Sequence, residues 1–354
     1  MSRYLRKQLA SLRAYVPGEQ PQDRQFVKLN TNESPYPPPP EVEAAVNGEE
    51  IRALRLYNDP ACTKLKEALA KTYGVETENV FVSNGSDEAL NFAFLAYGEN
   101  GAAFPDITYG FYSVFAALYG ISADVIPLTE DFRIDTAMYD GKNNLIVIAN
   151  PNAPTGLLLP ITEIERIVSK NPGGVVVIDE AYIDFGGTSA VELTKRYENL
   201  LVIQTFSKSR SMAGARLGFA IGHRDLIADL ERIKYSTNPY NVDRLTQAAG
   251  RAALQAAAYY RENCFKIMET REYMKKELAD MGFLQTDSMA NFVFVKHEKI
   301  GGQALYLALK ERGVLVRHFD QKRIQEYNRI TVGSREEADL LLAALREIKA
   351  QFAF

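Results

Sequence analysis

The sequence contains few of the residues on which metal and thiol chemistry depend. Its 354 residues include three histidines and two cysteines, Cys62 and Cys264, which lie far apart without a CxxC spacing. No pair of histidines has the spacing of a zinc site, and no GxSxG motif for a serine nucleophile is present. The cysteines are therefore expected to be free thiols in a reducing compartment, and the chemistry is expected to rest on other side chains.

Long apolar runs and a strong net charge are also missing. No run approaches the ~20 apolar residues that a membrane span needs, and the N-terminus, MSRYLRKQLASLRAY, lacks the apolar core of a secretory signal. The formal net charge of −4 gives no electrostatic reason to expect nucleic acid or an anionic membrane as a partner. The sequence thus predicts a cytoplasmic globular protein that acts on small molecules.

The middle of the chain alternates between apolar runs and helical patterns. NVFVS (79–83), LIVIAN (145–150), VVVIDEA (175–181) and LLVIQTF (200–206) are rich in β-branched residues and show no polar alternation. Such runs indicate strands that are buried on both faces, as in a mainly parallel sheet covered by helices. An α/β fold is therefore predicted for this part of the chain.

The sequence changes character after about residue 240. A long helical region is followed by strand candidates NFVFV, VLVRHF and RITVG with helices between and after them, which predicts a small α+β domain. YPPPP (36–40) is a stiff linker. We therefore expect an N-terminal arm over 1–35 that accompanies the small domain, a large domain over 36–240, and a small domain over 241–354.

Polar residues follow four of the predicted strands. In open α/β sheets, ligands bind beyond the carboxyl ends of the strands, so these residues are expected to share one crevice. The backbone of Gly85, Ser86 and Asp87 would open a helix and suit a phosphate. The other candidates are an amide, an acid with a phenol, a hydroxyl with a lysine, and an arginine for the same phosphate: Asn152, Asp179, Tyr182, Ser207, Lys208 and Arg216.

Pyridoxal phosphate is a ligand that would use this whole set. It carries a phosphate, an aldehyde that bonds a lysine, a phenolic oxygen, and a pyridine nitrogen that pairs with a carboxylate. Asn152 and Tyr182 could bond the phenolic oxygen, and Tyr109 in FPDITYGFY is a candidate for a ring stacked on the cofactor. Taken singly, each of these residues could equally be a turn, a cap or a solvated charge.

Several segments resemble fold-type I pyridoxal-phosphate-dependent aminotransferases in order and spacing. They are KLNTNESPY, YNDP, NGSDE, NPNAPTG, DEAY, FSKSRSMAGARLG and NRITVG, and the N-terminal LRAYVPGEQP is similar to the histidinol-phosphate branch. The resemblance covers about residues 13–346. It implies a homodimeric aminotransferase with a large domain, a mainly parallel sheet and a small α+β domain. The most similar branch uses histidinol phosphate and 2-oxoglutarate in histidine biosynthesis.

The resemblance also implies a role for each motif residue. Lys208 would be the Schiff-base lysine and proton carrier, and Asp179 would hold the pyridine nitrogen. Tyr57 would reach the phosphate of the partner subunit's cofactor. The remaining roles fall to residues that would surround the cofactor, Gly85, Ser86, Asp87, Tyr109, Asn152, Tyr182, Ser207 and Arg216, or the substrate, Tyr15, Asn32, Arg317 and Arg329.

Some segments depart from the family pattern, among them a short GEE segment after Val46. SRSMAG replaces the leucine-rich run usual after the lysine, and DQKRIQE (320–326) lacks the usual glycines. Because the DQKRIQE segment is expected near the substrate, two other specificities stay open, an aromatic amino acid aminotransferase and a threonine-phosphate decarboxylase. A cofactor-binding protein without turnover is an alternative of another class, and the Lys208–Asp179 pair argues against it.

Overall fold

A computed structural model describes residues 4–6, 9–10, 12–21 and 24–351. Its strands are β1 (Val27–Lys28), β2 (Val80–Asn84), β3 (Ala102–Pro105), β4 (Ala123–Ile126), β5 (Leu145–Ala149), β6 (Val176–Asp179), β7 (Leu200–Thr205), β8 (Leu217–Gly222), β9 (Phe283–Gln285), β10 (Phe292–His297), β11 (Val314–Leu315), β12 (Arg317–His318) and β13 (Asn328–Thr331). Its helices are α1 (Pro40–Ala45), α2 (Gly48–Arg52), α3 (Thr63–Tyr73), α4 (Gly85–Tyr97), α5 (Phe111–Tyr119), α6 (Ile161–Lys170), α7 (Arg224–Thr237), α8 (Arg244–Gln255), α9 (Ala257–Asp280), α10 (Gly302–Glu311) and α11 (Arg335–Gln351).

The central sheet has seven strands in the order β2-β8-β7-β6-β5-β3-β4. All neighbouring pairs are parallel except those of β8, which runs antiparallel to β2 and β7. Every residue of β5, β6 and β7 is buried. The predicted α/β fold with a mainly parallel sheet is confirmed, and β8 is the one strand of this sheet that reverses direction.

Helices cover both faces of the central sheet because successive strand residues point to opposite sides. In β5, Ile146 and Ile148 pack with α3 and α6 on one face. Val147, which lies between them, packs with α4, α5 and α7 on the other. Burial on both faces explains why these strands carry no polar alternation in the sequence.

A second, antiparallel sheet has the order β12-β13-β10-β9. A separate apolar cluster joins it to α9, α10 and α11. The arm attaches to this part of the chain, since β1 pairs in parallel with β11. The alanine face of helix α8 packs on the same face of the central sheet as α3 and α6. The numerical division at residues 35 and 240 stays a prediction.

Among the described residues, no helix is both long enough and apolar enough to cross a membrane.

Candidate active site

The ends of β2, β5, β6 and β7 bring the predicted residues to one edge of the central sheet. Ala149 pairs with Asp179, and Asp179 pairs with Ile203. The three neighbouring strands therefore end close together. Asn152 and Lys208 follow in the loops after β5 and β7, and α4 begins directly after β2. This arrangement follows from the sheet order, because parallel neighbours expose the same ends at one edge.

Lys208 is partly buried and lies close to the arm. Its Nζ donates a hydrogen bond to the carbonyl oxygen of Thr31 at 3.2 Å and lies 5.7 Å from the centre of the Tyr182 ring. Burial, with the nearby positive charge of Arg329, lowers the pKa of Lys208 to about 8. Its amine can therefore lose a proton near neutral pH, which a nucleophile or a general base requires.

Asp179 is the last residue of β6 and is 5% exposed. Its Oδ2 accepts a hydrogen bond from the Tyr112 hydroxyl at 2.8 Å, and its Oδ1 accepts one from the backbone N–H of Ala181 at 3.2 Å. Burial raises the pKa of Asp179 to about 6, against the effect of these two donors. A buried carboxylate of this kind favours a cationic partner. Tyr112 was not predicted, because FYSVFAALY reads as the apolar face of a helix.

The first turn of α4 and Arg216 form a cradle for an anion. The N–H of Gly85 donates to the carbonyl of Arg216 at 2.8 Å, and the following N–H groups, those of Ser86 and Asp87, have no partner inside the helix. The Arg216 guanidinium reaches Asp87 at 3.3 Å and Ser207 at 3.5 Å. Gly85 has φ +71°, and a Cβ there would lie 2.5 Å from Arg216 Nη2. The predicted phosphate residues are thus adjacent.

Two tyrosines border the space between Lys208 and the anion cradle. The Tyr109 hydroxyl donates to Asp87 Oδ1 at 2.9 Å. The Tyr182 hydroxyl accepts from Asn32 Nδ2 at 2.9 Å. Burial raises the pKa of both phenols, so both stay protonated near neutral pH. Asn32 is 1% exposed and also contacts Thr331, so it joins Tyr182 to the second sheet.

The amide of Asn152 is committed to its own loop. Its Nδ2 donates to the carbonyl of Ile107 and to the Thr155 hydroxyl, both at 3.0 Å. Its Oδ1 accepts from the Thr108 hydroxyl at 3.0 Å. With these bonds Asn152 ties the loop after β5 to the segment that carries Tyr109, and its contact with a phenolic oxygen stays a prediction.

Arg329 and Arg317 lie opposite each other on β13 and β12. Arg317 donates to the carbonyls of Val16 and Pro17, so it holds the arm beside Tyr15. Arg329 donates one bond, to the carbonyl of Asn30 at 3.0 Å. Its Nε is buried and lacks a hydrogen-bond partner within the part of the chain that the structure describes. Arg329 therefore keeps donor capacity for an anion.

Tyr15 and Tyr57 lie in different surroundings. The Tyr15 ring stacks on Phe111 with a centroid distance of 4.3 Å and meets the edge of Tyr109 at 5.9 Å. Tyr57 is 79% exposed and stacks on Tyr240 at 4.4 Å. Three apolar residues that precede Tyr57 in the chain are about half exposed: Ile51, Leu54 and Leu56.

Two further arginines brace the site, and neither was predicted. Arg323, in the segment 320–326, bonds Asp106 Oδ2 at 2.6 Å and the carbonyls of Leu128 and Thr129 at 2.9 Å. It thereby clamps that segment to the chain just before Tyr109. The sequence around Arg323 offers no signal, since an arginine in a polar loop normally predicts a solvated charge.

Arg271 in α9 is 3% exposed. It donates to the carbonyl of Phe185, which follows Tyr182, at 2.8 Å. It also donates to the carbonyl of Ala290, just before β10, at 3.1 Å. It therefore joins the segment after Tyr182 to the second sheet.

The donor set fits pyridoxal phosphate. An amine of lowered pKa, a buried carboxylate and an anion cradle lie around one crevice, and a glycine without space for a Cβ stands beside the arginine of the cradle. These groups match the aldehyde, the basic ring nitrogen and the phosphate of that cofactor.

Comparison with known proteins gives one consistent family. The model for class I and II aminotransferases matches residues 24–345. A protein of a Marinomonas species named histidinol-phosphate aminotransferase is 51% identical over 98% of this chain and 100% of its own length. One of the same name from Brachyspira hyodysenteriae is 47% identical over 98% and 99%.

Solved structures agree with this result. Histidinol-phosphate aminotransferase from Sinorhizobium meliloti, in complex with pyridoxal-5'-phosphate, is 27% identical with a TM-score of 0.85 over 93% of each chain. L-threonine-O-3-phosphate decarboxylase from Porphyromonas gingivalis shares the fold, with a TM-score of 0.79 over 92% of this chain and 100% of its own, at 22% identity.

Proposed function

Because this chain belongs to the class I and II aminotransferase family, we propose that it uses pyridoxal phosphate to move the amino group of histidinol phosphate to 2-oxoglutarate. The predicted enzyme class, fold type and cofactor are confirmed by the family match and the full-length relatives. The choice of substrate rests on one observation: about half of the residues are identical to those of relatives named histidinol-phosphate aminotransferase, over nearly the whole chain.

Lys208 is proposed as the residue that bonds the cofactor and moves the proton. Pyridoxal phosphate supplies, when bound, an aldehyde that reacts with amines and a ring that accepts electrons from a breaking Cα–H bond. Lys208 Nζ, with its pKa near 8, takes the proton from Cα of the substrate and can return it. General acid–base help of this kind accelerates a reaction by roughly 10²–10⁴-fold.

Asp179 and the anion cradle are proposed to orient the cofactor from its two ends. Asp179 is proposed to hold the ring nitrogen, because a buried carboxylate stabilises a cation. The cradle of α4 with Ser207 and Arg216 is proposed to hold the phosphate, with Arg216 as its charged donor. Tyr109 is proposed to stack on the ring, and Tyr182, with Asn152, to bond the phenolic oxygen.

Arg329 is proposed to bind the anionic end of the substrate. Its buried Nε without a partner supports this role. One arginine fork can bond either a phosphate or a carboxylate, so the same pocket can take histidinol phosphate and 2-oxoglutarate in turn. Tyr15 and Asn32 are proposed to line this pocket, and Arg317 to hold the arm over it.

We propose a cytoplasmic homodimer in which Tyr57 contacts the cofactor phosphate of the partner subunit. The exposed Tyr57 and its apolar neighbours support a second copy as the partner. The arm over 1–35, the large domain over 36–240 and the small domain over 241–354 remain our proposed division.

The decisive experiment is a half-reaction with separate donors. Loaded enzyme is mixed with histidinol phosphate, phenylalanine or glutamate, and the absorbance of the bound cofactor is followed. Histidinol phosphate and glutamate should convert the cofactor, and Lys208→Ala should lose the reaction by several orders of magnitude. A preference for phenylalanine would indicate an aromatic aminotransferase. In a separate assay with threonine phosphate, release of carbon dioxide would indicate the decarboxylase. No response of the cofactor to any donor would indicate a binding protein.

A further inference from the structure

Tyr112 lies beneath the proposed cofactor site on the first turn of α5. It is fully buried, and its ring packs against Phe94, Phe104 and Tyr109. The Tyr109 and Tyr112 rings meet edge to face at 5.8 Å. The backbone N–H of Tyr112 donates to the carbonyl of Tyr109 at 3.2 Å, so one turn of chain fixes both tyrosines.

Tyr112 is the only residue in the described part of the chain whose side chain donates a hydrogen bond to Asp179. Its hydroxyl lies 2.8 Å from Oδ2. The other hydrogen bond to the carboxylate comes from the Ala181 backbone. The charged groups that act on Asp179 are Asp87, which opposes its ionisation, and Lys208, which favours it. A phenol is otherwise a costly group to bury, because its hydroxyl must find a partner.

The protonated phenol of Tyr112 can donate its hydrogen bond to the ionised carboxylate of Asp179. Burial, with the negative charge of Asp179, raises the pKa of Tyr112 well above its usual value, so the phenol remains a donor at any working pH. A donor to a carboxylate stabilises the ionised form. Tyr112 therefore opposes the burial that favours a neutral Asp179.

We propose that Tyr112 is a positioning residue that keeps Asp179 ionised and aimed at the ring nitrogen of the bound cofactor. This inference rests on the proposed function, since it takes pyridoxal phosphate as the ligand. If the phenol hydroxyl is lost, the proton shared between Asp179 and the ring nitrogen shifts toward the carboxylate. The ring then accepts electrons less readily.

The test is Tyr112→Phe, which removes one oxygen and keeps the packed ring. The protein is loaded with pyridoxal phosphate labelled with ¹⁵N in its ring, and the ¹⁵N chemical shift is measured by solid-state NMR across a pH series. The share of the proton that lies on the ring nitrogen rather than on Asp179 should fall by about tenfold or more, because hydrogen bonds to charged groups are the stronger class. Tyr119→Phe is the matched control, since Tyr119 lies on the same helix and donates to Asn91 instead.

A second variant at the same position provides the test if Tyr112→Phe disturbs the fold. Tyr112→3-fluorotyrosine retains the hydroxyl and makes it a stronger donor, so the shared proton should lie further toward the ring nitrogen. Opposite shifts in the two variants are the expected result. The inference would be overturned if the ¹⁵N chemical shifts of both Tyr112 variants followed the same pH dependence as those of the wild type and of Tyr119→Phe.

Kinetics separate this inference from the choice of substrate. In the half-reaction with histidinol phosphate, Tyr112→Phe should lower the rate about tenfold to a hundredfold and leave the concentration for half-maximal rate nearly unchanged. If histidinol phosphate fails as a donor but the ¹⁵N titration still shifts, the substrate proposal fails and the inference holds. If histidinol phosphate reacts and the ¹⁵N titration does not move, the inference fails alone.

Discussion

Replacing Lys208 with methionine should make the cofactor-free protein more stable while it abolishes transamination. The lysine amine is held in a partly buried site where burial and Arg329 lower its pKa from 10.5 to about 8. A difference of this size in proton affinity corresponds to about 3 kcal/mol of cost for carrying the charged amine in the folded protein. Methionine has a similar length and no charge.

The net gain is smaller than this cost. Lys208 also donates a hydrogen bond to the carbonyl of Thr31, whose loss removes about 1 kcal/mol. The variant should therefore be about 2 kcal/mol more stable than the wild type at pH 7. For a chain of 354 residues this corresponds to a rise in melting temperature of about 3 °C.

The pH dependence gives the sharper test. Below pH 8 the lysine is protonated in both the folded and the unfolded chain, so the cost of the buried charge is fully present. Between pH 8 and 10.5 the folded protein has lost this proton while the unfolded chain keeps it, so wild-type stability rises relative to the variant. The advantage of Lys208→Met should shrink through this window, reach zero at about pH 9.5, and become a deficit of about 1 kcal/mol above the window.

The assay is thermal unfolding of cofactor-free proteins at equal concentration at pH 7, 8.5 and 10. All other titrating groups are shared, so they cancel in the difference between the two proteins. Lys71→Met is the control, since Lys71 is exposed on α3 and its replacement removes a lysine that is not buried. A Lys208→Met protein that melts below the wild type at pH 7, or an advantage that grows with pH, would refute this reasoning.

Three further changes test the surroundings of the site. Arg271→Met should lower the free energy of unfolding by about 3 kcal/mol, because two main-chain carbonyls lose their buried donor; thermal melting measures this. Arg323→Ala should raise the KM for histidinol phosphate about threefold to tenfold in steady-state kinetics, because the clamp on Asp106 is lost. Gly85→Ala should weaken pyridoxal phosphate binding about tenfold in a titration, because a Cβ there strains the backbone and displaces Arg216.

Each of these changes has a matched control. Arg346→Met removes an exposed ion pair with Glu277 and should change the stability by less than about 1 kcal/mol. Arg133→Ala removes an exposed arginine and should leave the KM unchanged. Gly141 has φ +69° with open space around it, so Gly141→Ala imposes backbone strain without a clash. If a control matched its test variant in size, the proposed cause would be wrong.

The strands β2, β5, β6 and β7 and the crevice at their ends could be predicted because their causes are local. Apolar runs such as LLVIQTF are dictated by burial on both faces, and parallel neighbours place their following residues at one edge. Lys208 and Asp179 stand directly after or at the end of such runs, so their place in the crevice followed from counting along the chain. Strands β3, β4 and β8 were not predicted, and the apolar residues of β8 would suit either direction.

The sequence by itself determined which chemical groups border the crevice, and the tertiary structure decided which of them are free to act. Tyr112 and Asp179 are 67 residues apart, and Asn32 and Tyr182 are 150 apart. A hydrogen bond between such partners depends on placement within a few tenths of an ångström, which no local pattern encodes. For the same reason only the structure showed that Arg317 is held by the arm, whereas Arg329 keeps a buried donor for an anion.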